Sequence, residues 1–437
     1  MCAKRNTLQL SQKDVAVNLS AGERLSCRLN RSTGEWMVFT EGNWRVDRLG
    51  AIRHEILCIA EAQVHDPDDR PSVLNNAFVS GTLKLAENMP CFSTVSDDWD
   101  QNPFLLGTPS GTVDLKTGEF RAAEEDDLIS KSTSVDPAET EDCSKFKAFL
   151  DFSTNKDSEL IGFLQKWLGY LATGDMSEQK LVYLYGPGGN GKGVLIRAIL
   201  GILGDYARIV PESTLIARGN THPTDLALLE GLRFAAATET ETGSRWREGI
   251  INQVTGADPL TARRMRGEFF TFQPQCKLMI SGNTAPDHNR VNDAAKRRFK
   301  VVEMRSRVPE DQVNLHLDAD LRAEYPGILR WIINGCLAWQ EQGLGSCHAV
   351  DRATDGHFKE QDLLERWLEE YVIVDHEEIS PISDLYHSWR GFLQAAGEDP
   401  ESQRAFSKRL SAAGYPSEVR KLNGQSTRVR LGLGLPN

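Results

Sequence analysis

Residues 181–204 constrain the fold of this chain more than any other segment. They begin with a short apolar strand, Leu181-Val-Tyr-Leu-Tyr185, and continue with Gly186-Pro-Gly-Gly-Asn-Gly-Lys-Gly193. From Val194 to Leu203, apolar residues recur at the spacing of a helix that buries one face. A strand, a glycine-rich turn and a helix in this order predict an α/β domain whose sheet is mainly parallel.

This order is typical of a loop that binds nucleotide phosphates. Glycines let consecutive backbone N–H groups turn toward an anion, and the positive end of the following helix adds to their field. We expect the loop to bind ATP and the Lys192 ammonium to reach the β- and γ-phosphates. An ordinary glycine turn is the alternative. The expected binding residues are Gly186, Pro187, Gly188, Gly189, Asn190, Gly191, Lys192, Gly193 and Val194.

The residue after the lysine departs from the usual pattern. It is Gly193, where such loops commonly carry a Ser or Thr whose hydroxyl binds Mg²⁺. The metal is therefore expected to depend on acidic residues, water and the phosphates, or to bind more weakly.

An acidic pair follows a second apolar strand, residues 233–238. Glu239 and Glu241 lie at the end of this strand, where carboxylates beside a phosphate loop can bind Mg²⁺ and activate the hydrolytic water. We assign the metal and catalytic role first to Glu239 and second to Glu241. A solvated acidic turn is the alternative.

Two further segments carry candidate functional residues. Residues 260–272 predict a hairpin whose tip carries Arg263, Arg264 and Arg266, which offer charge for phosphates and guanidinium faces for bases. An ordinary edge hairpin is the alternative. A third apolar strand, 277–281, leads to Asn283, an amide that can orient water or contact a γ-phosphate. Arg297 and Arg298 precede a fourth strand, and either could stabilise phosphoryl transfer at a neighbouring subunit's nucleotide.

The order of these pieces resembles the superfamily 3 helicases, and more closely the helicase half of the phage and plasmid primase-helicases, a family that includes the poxvirus primase-helicase. The resemblance covers residues from about 100 to 340. It is carried by Leu105-Leu-Gly, Gly111-Thr-Val-Asp-Leu-Lys-Thr-Gly118, Phe163-Leu-Gln-Lys-Trp-Leu-Gly-Tyr-Leu-Ala-Thr-Gly-Asp175, Gly186 to Lys192, Thr255-Gly-Ala-Asp258 and Asn283-Thr-Ala-Pro286. One departure is Asn252, where the family usually has lysine.

The resemblance implies an AAA+ core that forms a ring, expected to be a hexamer, with ATP and Mg²⁺ at subunit interfaces and single-stranded DNA in the channel. It gives catalytic roles to Lys192, Glu239, Asn283 and the Arg297–Arg298 pair. Forked DNA and a separately encoded primase or polymerase are the other expected partners. A helicase loader or an origin-binding initiator without unwinding activity remains the alternative function.

Length and composition limit the number of domains and the classes of partner. A chain of 437 residues is too long to fold around a single hydrophobic core, so several domains are expected. Its net charge of −12 means that any contact with nucleic acid must come from local clusters of basic residues. The cysteine spacing predicts neither a zinc site nor disulfides. No apolar run is long enough to span a membrane and no signal peptide is recognisable, so we expect a cytoplasmic protein without membrane partners.

The pattern of elements predicts five regions. These are an α+β accessory region (1–100), a helical collar or oligomerisation domain (101–175), the helicase domain (176–340), an irregular linker (341–360) and a winged-helix-like domain (361–437). In the last region, three helices and a hairpin with an Asn423-Gly424 turn are expected. Residues 401–437 hold seven Lys and Arg against two Glu, a net charge of +5, which favours contact with duplex DNA or a partner.

Overall fold

The computed structural model describes residues 10–22, 24–64, 70–217, 223–238, 245–265, 267–283, 293–309, 314–422 and 425–436. The chain divides into two compact units, one of residues 1–286 and 298–350 and the other of residues 287–297 and 351–437. Within the described ranges, no helix is both long and apolar enough to cross a membrane.

The first part of the larger unit is a small α+β assembly. Its sheet has the strand order β3-β2-β1-β4, and apolar residues of three helices cover one side, including Val15, Ile56 and Phe78. The elements are α1 Gln12–Ser20, β1 Cys27–Asn30, β2 Glu35–Thr40, β3 Asn43–Val46, α2 Ala51–Gln63, α3 Arg70–Val73, α4 Asn76–Glu87 and β4 Ser93–Thr94.

A three-stranded antiparallel sheet and two helices come next. The sheet consists of β5 Leu105–Gly107, β6 Thr112–Asp114 and β7 Glu119–Arg121, and the helices are α5 Ser144–Ser153 and α6 Ser158–Ala172. Both helices bury the apolar residues whose spacing is helical in the sequence. The region expected to be a helical collar therefore begins with strands.

A five-stranded parallel sheet forms the centre of the larger unit, as predicted for the region around the glycine-rich segment. Its order is β16-β8-β15-β11-β9, so strands distant in sequence become neighbours. The elements here are β8 Leu181–Tyr185, α7 Lys192–Leu203, β9 Ala207–Ile209, β10 Ile216–Ala217, α8 Pro223–Ala227, β11 Phe234–Thr238, β12 Arg245–Trp246, α9 Glu248–Thr255, β13 Leu260–Arg263, β14 Phe269–Phe272, β15 Lys277–Gly282 and β16 Phe299–Glu303. Helix α10 Asp293–Arg298 precedes β16 and belongs, up to Arg297, to the other compact unit.

Two buried basic side chains bind the amino end of this sheet to helix α6. The Arg233 guanidinium donates to the carbonyl of Ala172 at 2.9 Å, and the Lys277 ammonium donates to the carbonyl of Thr173 at 2.5 Å. Burial and the nearby Arg233 charge hold the pKa of Lys277 well below its usual value. Both acceptors lie at the carboxyl end of α6, where the helix dipole favours positive charge.

The larger unit closes with α11 Leu317–Ala323 and α12 Tyr325–Gln342. Helix α12 packs along α6, and the Gln165 amide donates to the carbonyl of Trp331 at 3.1 Å. Apolar residues of α5, α6, α7 and α12 join the central strands in one continuous core. Helices therefore pack against the parallel sheet that carries the glycine-rich loop.

The C-terminal elements are α13 His348–Gln361, α14 Leu363–Tyr371, β17 Ile373–Pro381, α15 Ile382–Ala395, α16 Gln403–Ala412, β18 Ser417–Leu422 and β19 Gln425–Gly434. Helices α14, α15 and α16 and the β18–β19 pairing confirm the three predicted helices and the two predicted strands. The expected Asn423-Gly424 turn lies outside the described residues. The expectation that 341–360 is irregular was wrong, because α13 occupies most of this segment, and its role as a linker stays a prediction. Strand β17 was not expected, and it gives the sheet order β17-β19-β18.

Candidate functional site

The glycine-rich loop lies at the carboxyl edge of the parallel sheet, between β8 and α7. Gly186, Gly189 and Gly191 have φ angles of 144°, 76° and 91°, in the region that favours glycine. Space also requires glycine at two of these positions. A Cβ at Gly186 would lie 2.2 Å from the Met304 carbonyl oxygen, and one at Gly191 would lie 2.7 Å from the ring of Phe149. The loop conformation therefore depends on close contact with Met304, just after β16, and with Phe149 on α5.

Lys192 is the first residue of α7, and only 7% of its surface is exposed. Its ammonium donates to the carbonyls of Gly186 at 2.5 Å and Pro187 at 3.1 Å, and to the Asn190 side-chain oxygen at 3.0 Å. Burial lowers the pKa of Lys192 from its ordinary value. The ammonium is thus held at the loop by oxygen atoms of the loop itself.

Asn283 is brought to the same place from a different strand. It directly follows β15, which pairs with β8, and its side-chain oxygen accepts a hydrogen bond from the Lys192 ammonium at 3.2 Å. Parallel strands end at a common edge, so two residues 91 positions apart become neighbours. The structure therefore joins two of the residues predicted to be catalytic.

The predicted acidic residues Glu239 and Glu241 lie outside the described residues, as does Arg266. The strand that precedes the acidic pair is described. Its last residue, Thr238, pairs with Ser281 near the end of β15, so β11 ends at the edge that carries the loop. The assignment of Glu239 and Glu241 stays a prediction.

Residues 304–308 contact the loop from its other side. The Asn190 amide donates to the Met304 carbonyl at 2.6 Å, and the Val308 N–H donates to the Gly189 carbonyl at 3.2 Å. Arg307 approaches Gly189 and is exposed, and it forms no ion pair with any described residue. Sequence reasoning missed Arg307. Its position shortly after β16 could have indicated it, but the sequence does not show that β16 lies beside β8.

Arg298 lies at the opposite edge of the sheet. Phe299, the next residue, pairs with Leu181 at the start of β8, whereas the loop follows the end of β8. One five-residue strand, about 17 Å, therefore separates Arg298 from the loop of its own chain. The Arg298 guanidinium donates to the Thr255 hydroxyl at 3.2 Å. Arg297 is exposed and belongs to the other compact unit.

The arginine hairpin consists of β13 and β14, as predicted. The Arg263 guanidinium lies 5.3 Å from the ring centre of Phe269, which is 61% exposed. Arg264 stacks on Phe270 and also forms an ion pair with Glu230 at 2.7 Å, so part of its charge is neutralised within the chain. Phe269 and the 82% exposed Met265 were not predicted as site residues. Their apolar surface at an arginine-rich tip could have indicated them.

Two family models match this chain. Residues 20–154 match the D5 N-terminal-like family, and residues 184–298 match a family of unknown function (DUF5906). The second match contains the whole glycine-rich loop, the hairpin and Arg298.

The curated relatives are viral proteins. The "Putative helicase L207/L206" of Acanthamoeba polyphaga mimivirus is 25% identical over 348 residues, which are 74% of this chain and 36% of the relative. The "Putative helicase 121R" of Invertebrate iridescent virus 3 is 23% identical over 244 residues, 53% of this chain and 26% of the relative. The chain thus spans about a third or less of the length of these relatives.

Solved structures share the fold at low sequence identity. The A-form apo structure of the NrS-1 C-terminal region matches with a TM-score of 0.53 at 12% identity, over 95% of this chain and 98% of that chain. A further A-form apo structure of the region gives 0.54 at 11% identity, over 97% and 99%. At this identity the likeness shows a shared fold. The D5 N-terminal-like match and the viral relatives support a relationship to the D5-like primase-helicases.

Proposed function

We propose that this chain is an ATP-dependent DNA helicase of replication, with an AAA+ core of the superfamily 3 type that acts as a cytoplasmic ring. One observation carries the proposal most directly. The structure gathers the glycine-rich loop, the Lys192 ammonium and the Asn283 amide at one sheet edge, with a hydrogen bond of 3.2 Å between the two side chains. An anion-binding loop, a cation and a polar amide are the groups that phosphoryl transfer requires.

The loop residues fit the phosphates of ATP. Backbone N–H groups at the start of α7 attract negative charge, and Lys192 is close enough to the loop to neutralise the β- and γ-phosphates. Asn283, beside Lys192, would orient the water that attacks the γ-phosphate. Glu239 would take a proton from that water as it attacks, and Glu241 would assist. The products would be ADP and inorganic phosphate.

The described residues supply only part of what a Mg²⁺ site needs. Gly193 supplies no hydroxyl, and the described residues contain no cluster of three or more His, Cys, Asp or Glu that could hold a metal. Mg²⁺ would therefore be held by Glu239, water and the phosphates themselves. When bound, it would neutralise the charge that develops on the phosphate oxygens.

Hydrolysis would require a second copy of the chain. Arg298 lies a strand length from the loop of its own chain, so it would serve the nucleotide of a neighbouring subunit in a ring, expected to be a hexamer. Arg297 is the other candidate for this role. Such an arrangement would couple hydrolysis at one interface to movement of the adjacent subunit.

Single-stranded DNA would contact the hairpin. Arg263 offers a guanidinium to phosphates, and the exposed ring of Phe269 beside it offers a stacking surface for bases. Arg264 would contribute less than Arg263 because Glu230 already pairs with it. Arg266 completes the predicted set. A separate primase or polymerase would act on the strand that unwinding exposes.

The first test compares Lys192→Ala with Lys13→Ala, a control at an exposed position on α1. We expect the Lys192 variant to lose ATP hydrolysis by at least about 100-fold, because one charge-assisted contact to a phosphate contributes several kcal/mol in the transition state. The control should keep the wild-type rate. Phosphate release and displacement of a labelled strand from a forked DNA are measured together.

The outcomes separate the possible functions. Hydrolysis at the wild-type rate by Lys192→Ala would contradict the nucleotide site. DNA-stimulated hydrolysis by the wild type without strand displacement would instead favour a helicase loader or an origin-binding initiator.

A further inference from the structure

Thr255 places a buried hydroxyl against Arg298, the arginine proposed to act at a neighbouring subunit. It is the last residue of α9, and none of its surface is exposed. The Arg298 Nε–H donates to the Thr255 hydroxyl oxygen at 3.2 Å, across 43 positions of sequence. The side chain of Arg298 is therefore held by α9, which does not adjoin it in the sequence.

A second hydrogen bond orients this hydroxyl. The Thr255 hydroxyl donates to the Ile251 carbonyl, one turn earlier in α9, at 2.7 Å. A hydroxyl has one proton and two lone pairs, so the proton directed at Ile251 leaves a lone pair for the guanidinium. Hydrogen bonds to charged groups are stronger than those between neutral groups. Thr255 can therefore fix the orientation of Arg298.

A closed turn connects Thr255 to the hairpin of β13 and β14. The Asp258 N–H donates to the Gln253 carbonyl at 2.9 Å, and the Ala257 N–H donates to the Val254 carbonyl at 3.2 Å. Ala257 has a φ angle of 56°, the left-handed conformation that commonly ends a helix with this pair of hydrogen bonds. The end of α9 and the start of the path to the hairpin are thus one hydrogen-bonded unit.

The same turn is attached to both strands of the hairpin. Leu260, which begins β13, is buried and pairs with Phe272 at the end of β14. The Gln273 side-chain amide, directly after β14, donates to the Ala257 carbonyl at 3.3 Å. A displacement at the base of the hairpin would therefore reach Thr255 through a short segment that hydrogen bonds hold together.

We propose that Thr255 is a positioning residue that holds Arg298 toward the nucleotide of the neighbouring subunit, and that the turn at 256–258 transmits the position of the hairpin to it. This inference rests on the proposed function, because it takes Arg298 as the arginine that acts in trans and the hairpin as the contact for single-stranded DNA. Thr255 touches neither nucleotide nor DNA and acts through Arg298. DNA bound at the hairpin would shift its base, and Arg298 would shift with Thr255.

The test compares Thr255→Val with Thr255→Ser in ATP hydrolysis. Valine keeps the branched shape and removes the hydroxyl, whereas serine keeps the hydroxyl. Thr255→Val should lower the DNA-stimulated kcat about tenfold, because a hydrogen bond to a charged group is lost. Its KM for ATP should stay within about twofold, because Arg298 contributes in the transition state. Thr255→Ser should keep at least about a third of the wild-type kcat, because the hydrogen bond remains possible.

Transmission from the hairpin is measured with single-stranded DNA. In Thr255→Val, the ratio of DNA-stimulated to basal hydrolysis should fall toward one, because the hairpin is no longer connected to Arg298. The Kd for a fluorescein-labelled oligothymidine should equal that of the wild type, because the hairpin itself is unchanged. A loss of stimulation with normal DNA binding is a result that general destabilisation would not give.

Thr82→Val is the matched control. Thr82 lies on α4, is fully buried, and its hydroxyl has no hydrogen-bond partner among the described residues. The same chemical change there should leave kcat and the DNA stimulation at wild-type values. Thermal unfolding of each variant tests whether it is folded. If Thr255→Val does not fold, Thr255→Ala provides the same comparison with serine.

Mixed assemblies test whether Thr255 acts across the interface. In an equal mixture of Thr255→Val and Lys192→Ala chains, about a quarter of the interfaces combine an intact Lys192 with an intact Thr255 and Arg298 from the next copy. The mixture should therefore hydrolyse ATP at about a quarter of the wild-type rate. If Thr255 served only the nucleotide of its own subunit, the rate would be about a twentieth, and the proposal would be overturned.

Other outcomes separate this inference from the proposed function. A wild-type kcat in Thr255→Val beside an impaired Arg298→Ala would overturn the positioning role and leave the role of Arg298 intact. Serine as slow as valine would also overturn it, and an unchanged ratio of stimulated to basal hydrolysis would reject the transmission from the hairpin. A wild-type rate in Arg298→Ala would instead refute the proposed arginine, and the positioning role with it.

Discussion

The glycine at position 193 offers a gain-of-function experiment on the proposed nucleotide site. Gly193 is the second residue of α7, where a serine would place a hydroxyl at the position that commonly binds Mg²⁺. A Cβ at this position would meet only the end of the Arg197 side chain, at 3.1 Å. Arg197 is 55% exposed, so it can move by the few tenths of an ångström required. We therefore expect Gly193→Ser to fold.

Gly193→Ala separates the hydroxyl from the effect of removing a glycine. Each substitution should stabilise the helix by up to about 0.5–1 kcal/mol, because glycine is a poor helix former. The hydroxyl alone should add about 1–1.4 kcal/mol when it replaces a water on the metal, which is a five- to tenfold effect on affinity. The serine variant should therefore need five- to tenfold less Mg²⁺ than the alanine variant for half-maximal hydrolysis.

The assay is ATP hydrolysis at saturating ATP over a titration of Mg²⁺, for the wild type and both variants. Thermal unfolding of each protein shows whether the two substitutions stabilise helix α7 equally. Identical Mg²⁺ dependence of Gly193→Ser and Gly193→Ala would refute the reasoning, because the position would then not face the metal of a bound nucleotide.

Two further predictions concern other parts of the chain. Arg307→Ala should weaken binding of a fluorescent ATP analogue by about three- to tenfold, because its exposed guanidinium lies beside the loop and charge-assisted contacts are strong. The control Arg305→Ala removes a guanidinium already paired with Glu303 at 2.6 Å and should have a smaller effect, so equal effects would contradict the role of Arg307. Burial lowers the pKa of His357 to about 4, so the native state favours the neutral ring while the unfolded chain binds a proton near pH 6.5. Stability should therefore fall as pH drops from about 6.5 to about 4, by up to about 1.4 kcal/mol per pH unit. Melting temperatures of the wild type and His357→Leu at pH 7.5 and 5.0 test this, and an equal drop in both would contradict it.

The sequence predicted the strand, the glycine-rich loop and α7 because glycine spacing and apolar periodicity are local signals. It also indicated Lys192 and Asn283 as separate candidates. Their contact at 3.2 Å depends on the strand order β16-β8-β15-β11-β9, which no local pattern contains. For the same reason, Arg307 was missed although β16, the strand before it, had been predicted.

Strands were harder to predict where their side chains are exposed. Five of the nine residues of β17 are exposed, and Asp375-His-Glu-Glu378 interrupts the alternation of polar and apolar residues. Pairing with β19 makes this segment a strand. Helix α13 was missed for a related reason, because its 14 residues have a polar composition that reads as a linker although Val350 and Phe358 are buried.

The proposed mechanism requires a nucleotide site to which Lys192 of one copy and Arg298 of the next both contribute. Mixing Lys192→Ala and Arg298→Ala chains tests this most directly, by the rate of DNA-stimulated ATP hydrolysis across a range of ratios. Each variant alone should be inactive. In an equal mixture, random assembly leaves both residues intact at about a quarter of the interfaces, so about a quarter of the wild-type rate should return. No recovery at any ratio would contradict the shared site.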